Sequence, residues 1–512
     1  MRRPNAQAQA SRRNRPHEML SQGVSSHSIN KYSWCFPGCI VSAAFAFFAA
    51  ASGLLYLSSF SSAHKFDVII DAGSTGTRIH VFGCISAWGG MPVIDHGPTA
   101  SMKVSPGLSA FANNPAKAAQ SLTELLEFVR ERVPKNRWGE TNIRLMATAG
   151  LRSLDGDLAE RILEYCRSAL RASGFEFQDD WASVISGADE GVYAWVAANY
   201  ALGTLGKEAH ETTGIIELGG ASVQITFVPG EPIPPEFSLA LKFGQVIYNL
   251  YSHSFLHLGQ NTAHDYLQKL LGSSKLKTSP ESLLEGVYID PCTPKGYLYG
   301  VEHRRISYDV LNTNIDYSRT PHAFGNFSEC RYAALMLLQK EKDRCSYENC
   351  RIGSAFVPKL HGKLIATENF FHTSKFFGLG PSSFISDLIL AGEQFCEEDW
   401  SELRRKYHAV EEEDLLRYCF SSAYIVALLH DILGIATNDT RVVFANQVGE
   451  VPLDWALGAF IVQKTAEAAV HPDWNAVIIL AIRSHLRSIF VFAAFLTFLG
   501  WFALNRRRPQ LK

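Results

Sequence analysis

The chain has 512 residues, 47% of them hydrophobic, with 48 basic residues against 50 acidic ones for a formal net charge of -2. That length exceeds what one core spans, and the apolar content excludes wholesale disorder. The near-balanced charge leaves no electrostatic footprint for nucleic acid, so nucleic-acid binding is not expected.

Residues 1–35 are rich in Arg, Ser, Gln and Asn without periodicity and read as a disordered tail. Residues 36–60 carry no charge and are long enough to cross a ~30 Å hydrocarbon core. A cleaved leader is the alternative. Against it, the segment outruns the ~7–15-residue apolar core of a signal peptide and lacks a small-x-small site before Lys65. Strands follow at 66–71 and 77–84, joined by a Gly/Ser/Thr turn, then a helix over 115–133. A strand at 143–147 runs into Ala147-Thr148-Ala149-Gly150, and helices are expected near 156–173 and over 189–202. A second hairpin spans 213–228. Strands alternating with helices predict an α/β lobe over 66–235, closed by the proline-rich stretch 229–235.

A second lobe is expected over 236–485, with helices at 330–343 and 412–433 and a last helix, about 455–470, packing back on the first lobe. Residues 488–504 form a second uncharged stretch at the lower limit for a span, leading to a basic tail, 505–512. Basic residues dominate both tails, so both read as cytoplasmic, with the region between them lumenal or extracellular. Its eight cysteines, none in C-x-x-C spacing, and the sequons at Asn326 and Asn438 fit an oxidising compartment. The shortness of 488–504 leans toward a thinner Golgi or early-secretory membrane rather than the plasma membrane. The two spans also offer a route to homo-oligomers.

The chain carries one phrase twice. Ile69-Ile70-Asp71-Ala72-Gly73-Ser74-Thr75-Gly76-Thr77-Arg78-Ile79 returns as Ile215-Ile216-Glu217-Leu218-Gly219-Gly220-Ala221-Ser222-Val223-Gln224-Ile225. Each copy is an apolar strand, an acid, a tight small-residue turn and a second strand. Glycines let backbone N–H groups curl round an anion, small hydroxyls add donors, and a carboxylate at a strand end can hold a hydrated divalent cation. Two such turns suggest a polyphosphate gripped between them. No G-x-x-x-x-G-K-[ST] is present, which excludes a P-loop mechanism.

These hairpins, with Ala147-Thr148-Ala149-Gly150-Leu151-Arg152, Ser186-Gly187-Ala188-Asp189-Glu190-Gly191 and Trp455-Ala456-Leu457-Gly458, resemble the five conserved regions of the apyrase, or ecto-nucleoside triphosphate diphosphohydrolase, family, and look closest to its plant-type membrane-bound members. The resemblance covers roughly 66–462. It implies an α/β fold of two actin/Hsp70-like (RNase H-like) lobes with a nucleotide cleft between them, and hydrolysis of nucleoside tri- and diphosphates. Glu190 would be the general base, with Ser222 and Gln224 positioning water. Ser74, Thr75, Gly76, Thr77, Arg78, Thr148, Gly219, Gly220, Ala221 and Ser222 would bind phosphate. Asp71 and Glu217 would hold a divalent cation, Ca2+ or Mg2+, through water. The family usually has Asp where this chain has Glu217, and the longer arm favours calcium, which tolerates irregular geometry. Family spacings imply disulfides Cys345–Cys350 and Cys396–Cys419, with Cys292–Cys330 as a third; Cys84 and Cys166 stay unassigned.

Beside these, Phe371 and His372 are weaker candidates for stacking on the base, since adjacent phenylalanines such as Phe370 and Phe371 are more often core. Asp189 reads as a helix cap rather than a second base, and Arg152 as a brace between loops. A nucleotide-binding ectodomain without turnover, or a same-fold phosphotransferase, is the alternative function.

Overall fold

The structure is a computed structural model that describes residues 64–85, 93–94, 100–273, 287–299, 320–340, 342–347, 350–470 and 495. The two tails, the stretch 36–60 and all of 488–504 except position 495 lie outside them. Two six-stranded sheets repeat one plan. In the first, β1 (His64–Ala72) and β2 (Thr77–Ile85) form an antiparallel hairpin, flanked by β3 (Val93–Ile94) and β4 (Ala100–Val104) on β2 and by the parallel β5 (Asn142–Ala147) and β6 (Ala182–Val184) beyond β1. In the second, β7 (Gly214–Leu218) and β8 (Ser222–Phe227) are the hairpin, with β9 (Ser238–Phe243) and β10 (Val246–Leu256) beyond β8. Two small ribbons follow, β11 (Val287–Asp290) with β12 (Thr320–Ala323) and β13 (Cys350–Ile352) with β14 (Ala355–Phe356). The parallel strands β15 (Leu364–Glu368) and β16 (Val442–Phe444) then complete the sheet beyond β7.

The second hairpin therefore belongs with strands from the far half of the chain. It does not share a layer with the first hairpin, as a lobe of 66–235 requires, and the prolines at 229–235 connect strands of one sheet. The pairing that decides this, β7 with β15, joins residues about 150 apart in sequence.

Outside the first sheet pack α1 (Pro115–Ser121), α2 (Thr123–Arg132) and α3 (Gly156–Arg171), on a core of Val68, Ile70, Leu125, Ile162 and their neighbours. The expected helix over 115–133 is two helices meeting at Leu122. Next comes α4 (Gly187–Ala201). Outside the second sheet pack α5 (Gln260–Gly272), α6 (Phe327–Leu338), α7 (Asn369–Phe376), α8 (Ile385–Glu397) and α9 (Glu412–Val426), which runs on as a π-helical stretch, Ala427–Ile432. Glu412–Ile432 is the one described helix long and apolar enough to cross a membrane, but 78% of its most apolar 18-residue stretch is buried, so it is a core helix. Finally α10 (Trp455–Val470) returns to lie beside α4, between the sheets.

The strand period of two explains the sandwich. On β1, Val68 and Ile70 face the outer helices, whereas Ile69 joins Phe82, Ile215 and Ile365 around α4 and α10. Small residues let these two helices approach closely: a Cβ on Gly458 would lie 1.7 Å from the Tyr193 carbonyl oxygen.

The three expected disulfides form: Cys292–Cys330, Cys345–Cys350 and Cys396–Cys419, the last tying α8 to α9. Cys84 and Cys166 are buried free thiols in different cores, and burial pushes each up to about 12. Of the sequons, Asn438 is exposed, while Asn326 is half-buried and caps α6, its side chain accepting from Glu329 N at 2.9 Å.

Because no rotamer relieves a clash between a Cβ and a backbone carbonyl, Gly458→Ala should destabilise the fold by about 3 kcal/mol. Chemical denaturation read by tryptophan fluorescence checks this; an unchanged midpoint would remove the α4–α10 contact as a determinant of stability.

Candidate active site

β1 and β2 pair without a bulge from His64 opposite Ile85 to Ala72 opposite Thr77, leaving residues 73–76 as the turn. The segment after β4 clasps that turn. A Cβ on Gly107 would sit 2.3 Å from Gly73 O, and one on Gly76 would sit 2.5 Å from Lys103 Cε and 2.7 Å from Val104 O. Lys103 thus stands over the first turn, a contact that no local pattern signals. The segment holding Thr148 abuts from another side, Gly150 lying where a Cβ would be 2.9 Å from Ser74 Cα. The second turn is locked by Gly219 N donating to Ser222 O, and α5 begins against it, Gln260 N donating to Gly219 O and Asn261 N to Gly220 O. The two turns meet: a Cβ on Gly220 would lie 2.8 Å from Thr75 Cγ2 and 2.9 Å from Ser74 Oγ. Only hydrogen-sized side chains permit these approaches.

Glu190 lies in the first turn of α4 and is 7% exposed. The cap of that helix is Ser186, not Asp189: Ser186 Oγ accepts from Asp189 N at 3.0 Å and donates to Asp189 Oδ2 at 2.7 Å. Glu190 Oε2 accepts from Arg152 Nη2 at 2.7 Å and from Gln224 Nε2 at 3.2 Å. Gln224 Nε2 in turn lies 2.6 Å from Ser222 Oγ and 3.2 Å from Ser254 Oγ. The three expected catalytic residues are therefore in one hydrogen-bonded group. Arg152 braces Ile185 O at 3.0 Å, as a loop brace would, but it also touches the base itself.

The sequence falls within a described family over residues 58–473, that of the GDA1/CD39 nucleoside phosphatases. The chain belongs to the GDA1/CD39 (nucleoside phosphatase) family. Probable apyrase 6 of Arabidopsis thaliana is 52% identical over 88% of this chain and 82% of its own length. Ectonucleoside triphosphate diphosphohydrolase 1 of Bos taurus is 31% identical over 77% of this chain and 80% of its own. A solved nucleoside triphosphate hydrolase from Neospora caninum shares the fold, with a TM-score of 0.58 at 16% identity over 82% of this chain and 97% of that one. This protein is a hydrolase of nucleoside phosphates, and its family is generally dependent on divalent cations.

In this nucleoside phosphatase the site is acidic. Asp71 and Glu217 end equivalent strands, Glu190 comes from α4, Asp454 immediately precedes α10, and Glu368 ends β15. Burial, and then Asp454 and Glu190, push the Asp71 carboxyl well above the usual carboxylate range. Burial, then Glu190, Glu368, Asp454 and Asp71, do the same to Glu217. Glu368 is raised by burial and Asp454, and its φ of 58° is a strained backbone for a non-glycine residue, with its N–H donated to Asn446 Oδ1 at 2.7 Å. Sequence reading missed Glu368, Asp454, Lys103 and Ser254, none of which sits in a glycine-rich turn. Arg78, expected on phosphate, is ion-paired with Asp454 at 3.2 Å. Phe370 is core, whereas Phe371 is half-buried and His372 exposed, the latter with Nε2 3.4 Å from Asn446 Nδ2.

Asp71 Oδ1 and Glu217 Oε2 are buried without a hydrogen-bond partner, and Thr77 Oγ1 and Thr367 Oγ1 are too. Orphaned carboxylate oxygens amid excess negative charge fit a cation. Among the described residues no three His, Cys, Asp or Glu side chains converge tightly enough to enclose one.

A carboxyl raised in the folded state contributes stability that is fully present below its unfolded pKa and is lost as pH rises through the folded value. At neutral pH in chelator, Asp71→Asn and Glu217→Gln should therefore each raise the melting temperature, by about 2 °C. Calcium should stabilise the parent protein, by about 2.7 kcal/mol at a hundredfold excess over Kd, and the variants far less. Melting curves with equal calcium response in all three proteins would remove both residues from the cation site.

Proposed function

We propose that this protein is an apyrase-type enzyme that releases the terminal phosphate of nucleoside triphosphates, and then of diphosphates, by attack of a water that Glu190 deprotonates. The observation carrying this reading is the group formed by Glu190, Arg152, Gln224 and Ser222 beside two glycine turns in contact. Phosphoanhydride hydrolysis needs an in-line water, a base for its proton and neutralisation of the equatorial oxygens. The N–H groups and hydroxyls of the turns, with Thr148, supply donors to the phosphates. Asp71 and Glu217 hold the divalent cation through water, and when bound it neutralises phosphate charge. Ser222 and Gln224 orient the water, and its proton passes to Glu190.

Arg152 solves a problem that burial creates. Burial raises the Glu190 carboxyl, and Arg152 opposes that by favouring the ionised form. The half-buried Phe371 and the exposed His372 stack on the base. In this reading the stretches 36–60 and 488–504 anchor the catalytic unit at both ends in a secretory-pathway or plasma membrane, facing the lumen or exterior; three disulfides in the unit support an oxidising compartment.

Glu190→Gln keeps the shape and hydrogen-bond reach but takes no proton, so kcat should fall ~10²–10⁴-fold with nucleotide affinity retained. Near-parental phosphate release by the purified variant would end the assignment. Activity is lost as pH falls through the Glu190 pKa, and removing Arg152 raises that pKa. Arg152→Gln should accordingly move the acid limb of the kcat profile to higher pH, which stopped-time phosphate assays across a pH series would show.

A further inference from the structure

Ser254 lies on β10, in register opposite Gln224 of β8. Two residues back, Ser252 faces Thr226 in the same register and bonds it at 2.8 Å, while also donating to Ala188 O at 2.8 Å. That inner rung only ties the strands to α4. The outer rung differs, because Gln224 Nε2 there is within 3.2 Å of both Ser254 Oγ and Glu190 Oε2, and 2.6 Å from Ser222 Oγ.

An amide nitrogen carries two protons, so three acceptors compete for them. The carboxylate fixes which end of the carboxamide points inward, since the oxygen end would face Glu190 Oε2 repulsively. Ser222 at 2.6 Å takes one proton, and the other is shared by Glu190 and Ser254 at equal distance. Ser254 is half-buried where Ser222 is 2% exposed, and among the described residues nothing accepts its own proton. The space it fills is made by a missing side chain: a Cβ on Gly187 would lie 2.2 Å from Ser254 Cβ, 2.3 Å from its Oγ and 3.4 Å from Arg152 Cζ. Gly187, first residue of α4, thus admits both Ser254 and Arg152 to the base.

We propose that Ser254 is a positioning residue for hydrolysis, acting through Gln224: its Oγ holds the carboxamide turned toward Glu190 and so fixes the site of the attacking water. The proposal rests on Glu190 as base and adds a residue to its support. No group on Ser254 changes covalent state; the water's proton still passes to Glu190.

The test is a double-mutant cycle on the full chain with Ser254→Ala, Gln224→Ala and both together, read as kcat, KM and the acid limb of kcat against pH. Ser254→Ala should lower kcat about tenfold with KM within about twofold and an unchanged melting temperature. Once freed of Ser254 the carboxamide turns and no longer donates to Glu190, so the acid limb should move upward, as in Gln224→Ala. In the Gln224→Ala background the second substitution should add nothing. Ser252→Ala, on the structural rung, should lower the melting temperature and leave the acid limb in place. Equal losses from Ser254→Ala in both backgrounds, or an unmoved acid limb, would overturn the proposal. Failure of the base reading is separately visible, as an active Glu190→Gln enzyme. Gly187→Ala gives a second route to the same residue: its Cβ displaces Ser254, so kcat should fall and the acid limb rise as in Ser254→Ala, and an unmoved limb there also counts against it.

Discussion

Everything in this molecule is arranged around carboxylates held out of water beside a site that must accept a polyanion. Burial and the neighbouring acids raise the cost of ionising Asp71, Glu217 and Glu368, and two nearby cations are already committed, Arg152 to Glu190 and Arg78 to Asp454. Burying like charges is unfavourable unless something positive joins them. The orphaned oxygens of Asp71 and Glu217 are where the proposed cation would offset that charge.

The fold supplies that arrangement by using one plan twice. Each sheet offers a hairpin whose first strand ends in an acid on the inner face, and each brings one inner helix with an acid at its N-terminal end, Glu190 on α4 and Asp454 before α10. The acid of the strand and the residue seven places on recur in both copies, Asp71 with Arg78 and Glu217 with Gln224. Arg78 reaches Asp454 and Gln224 reaches Glu190. The two halves have nevertheless diverged chemically. Both acids pair with an arginine, Asp454 with Arg78 and Glu190 with Arg152, but the hairpin of the first sheet supplies that arginine, whereas the hairpin of the second supplies a glutamine instead.

Close packing holds the two halves in place. Gly458 lets α10 cross α4 closely, and disulfides tie down the second half, where helices outnumber long strands. An exposed loop could not hold Glu190 against Gln224; a helix sealed between two sheets can.

The sequence by itself determined whatever is written within a dozen consecutive residues. Hairpin turns and the strand-end acids were legible because turn chemistry and strand period are local properties, whereas the grouping of Glu190 with Ser222 and Gln224 came from the family resemblance. The family's spacings likewise carried the disulfide pairs. Tertiary structure alone decided which sheet each hairpin joins, because β7 takes its neighbour β15 from the far half of the chain. It broke the helix at Leu122, and made Ser186 the cap beside a reading that favoured Asp189. It also recruited Lys103, Ser254, Glu368 and Asp454, whose roles rest on partners up to 376 positions away, as in Arg78 with Asp454. A lone serine on a strand or an acid before a helix has no local pattern to mark it. Its meaning is set by what folding places within about 3 Å of it, the range of a hydrogen bond.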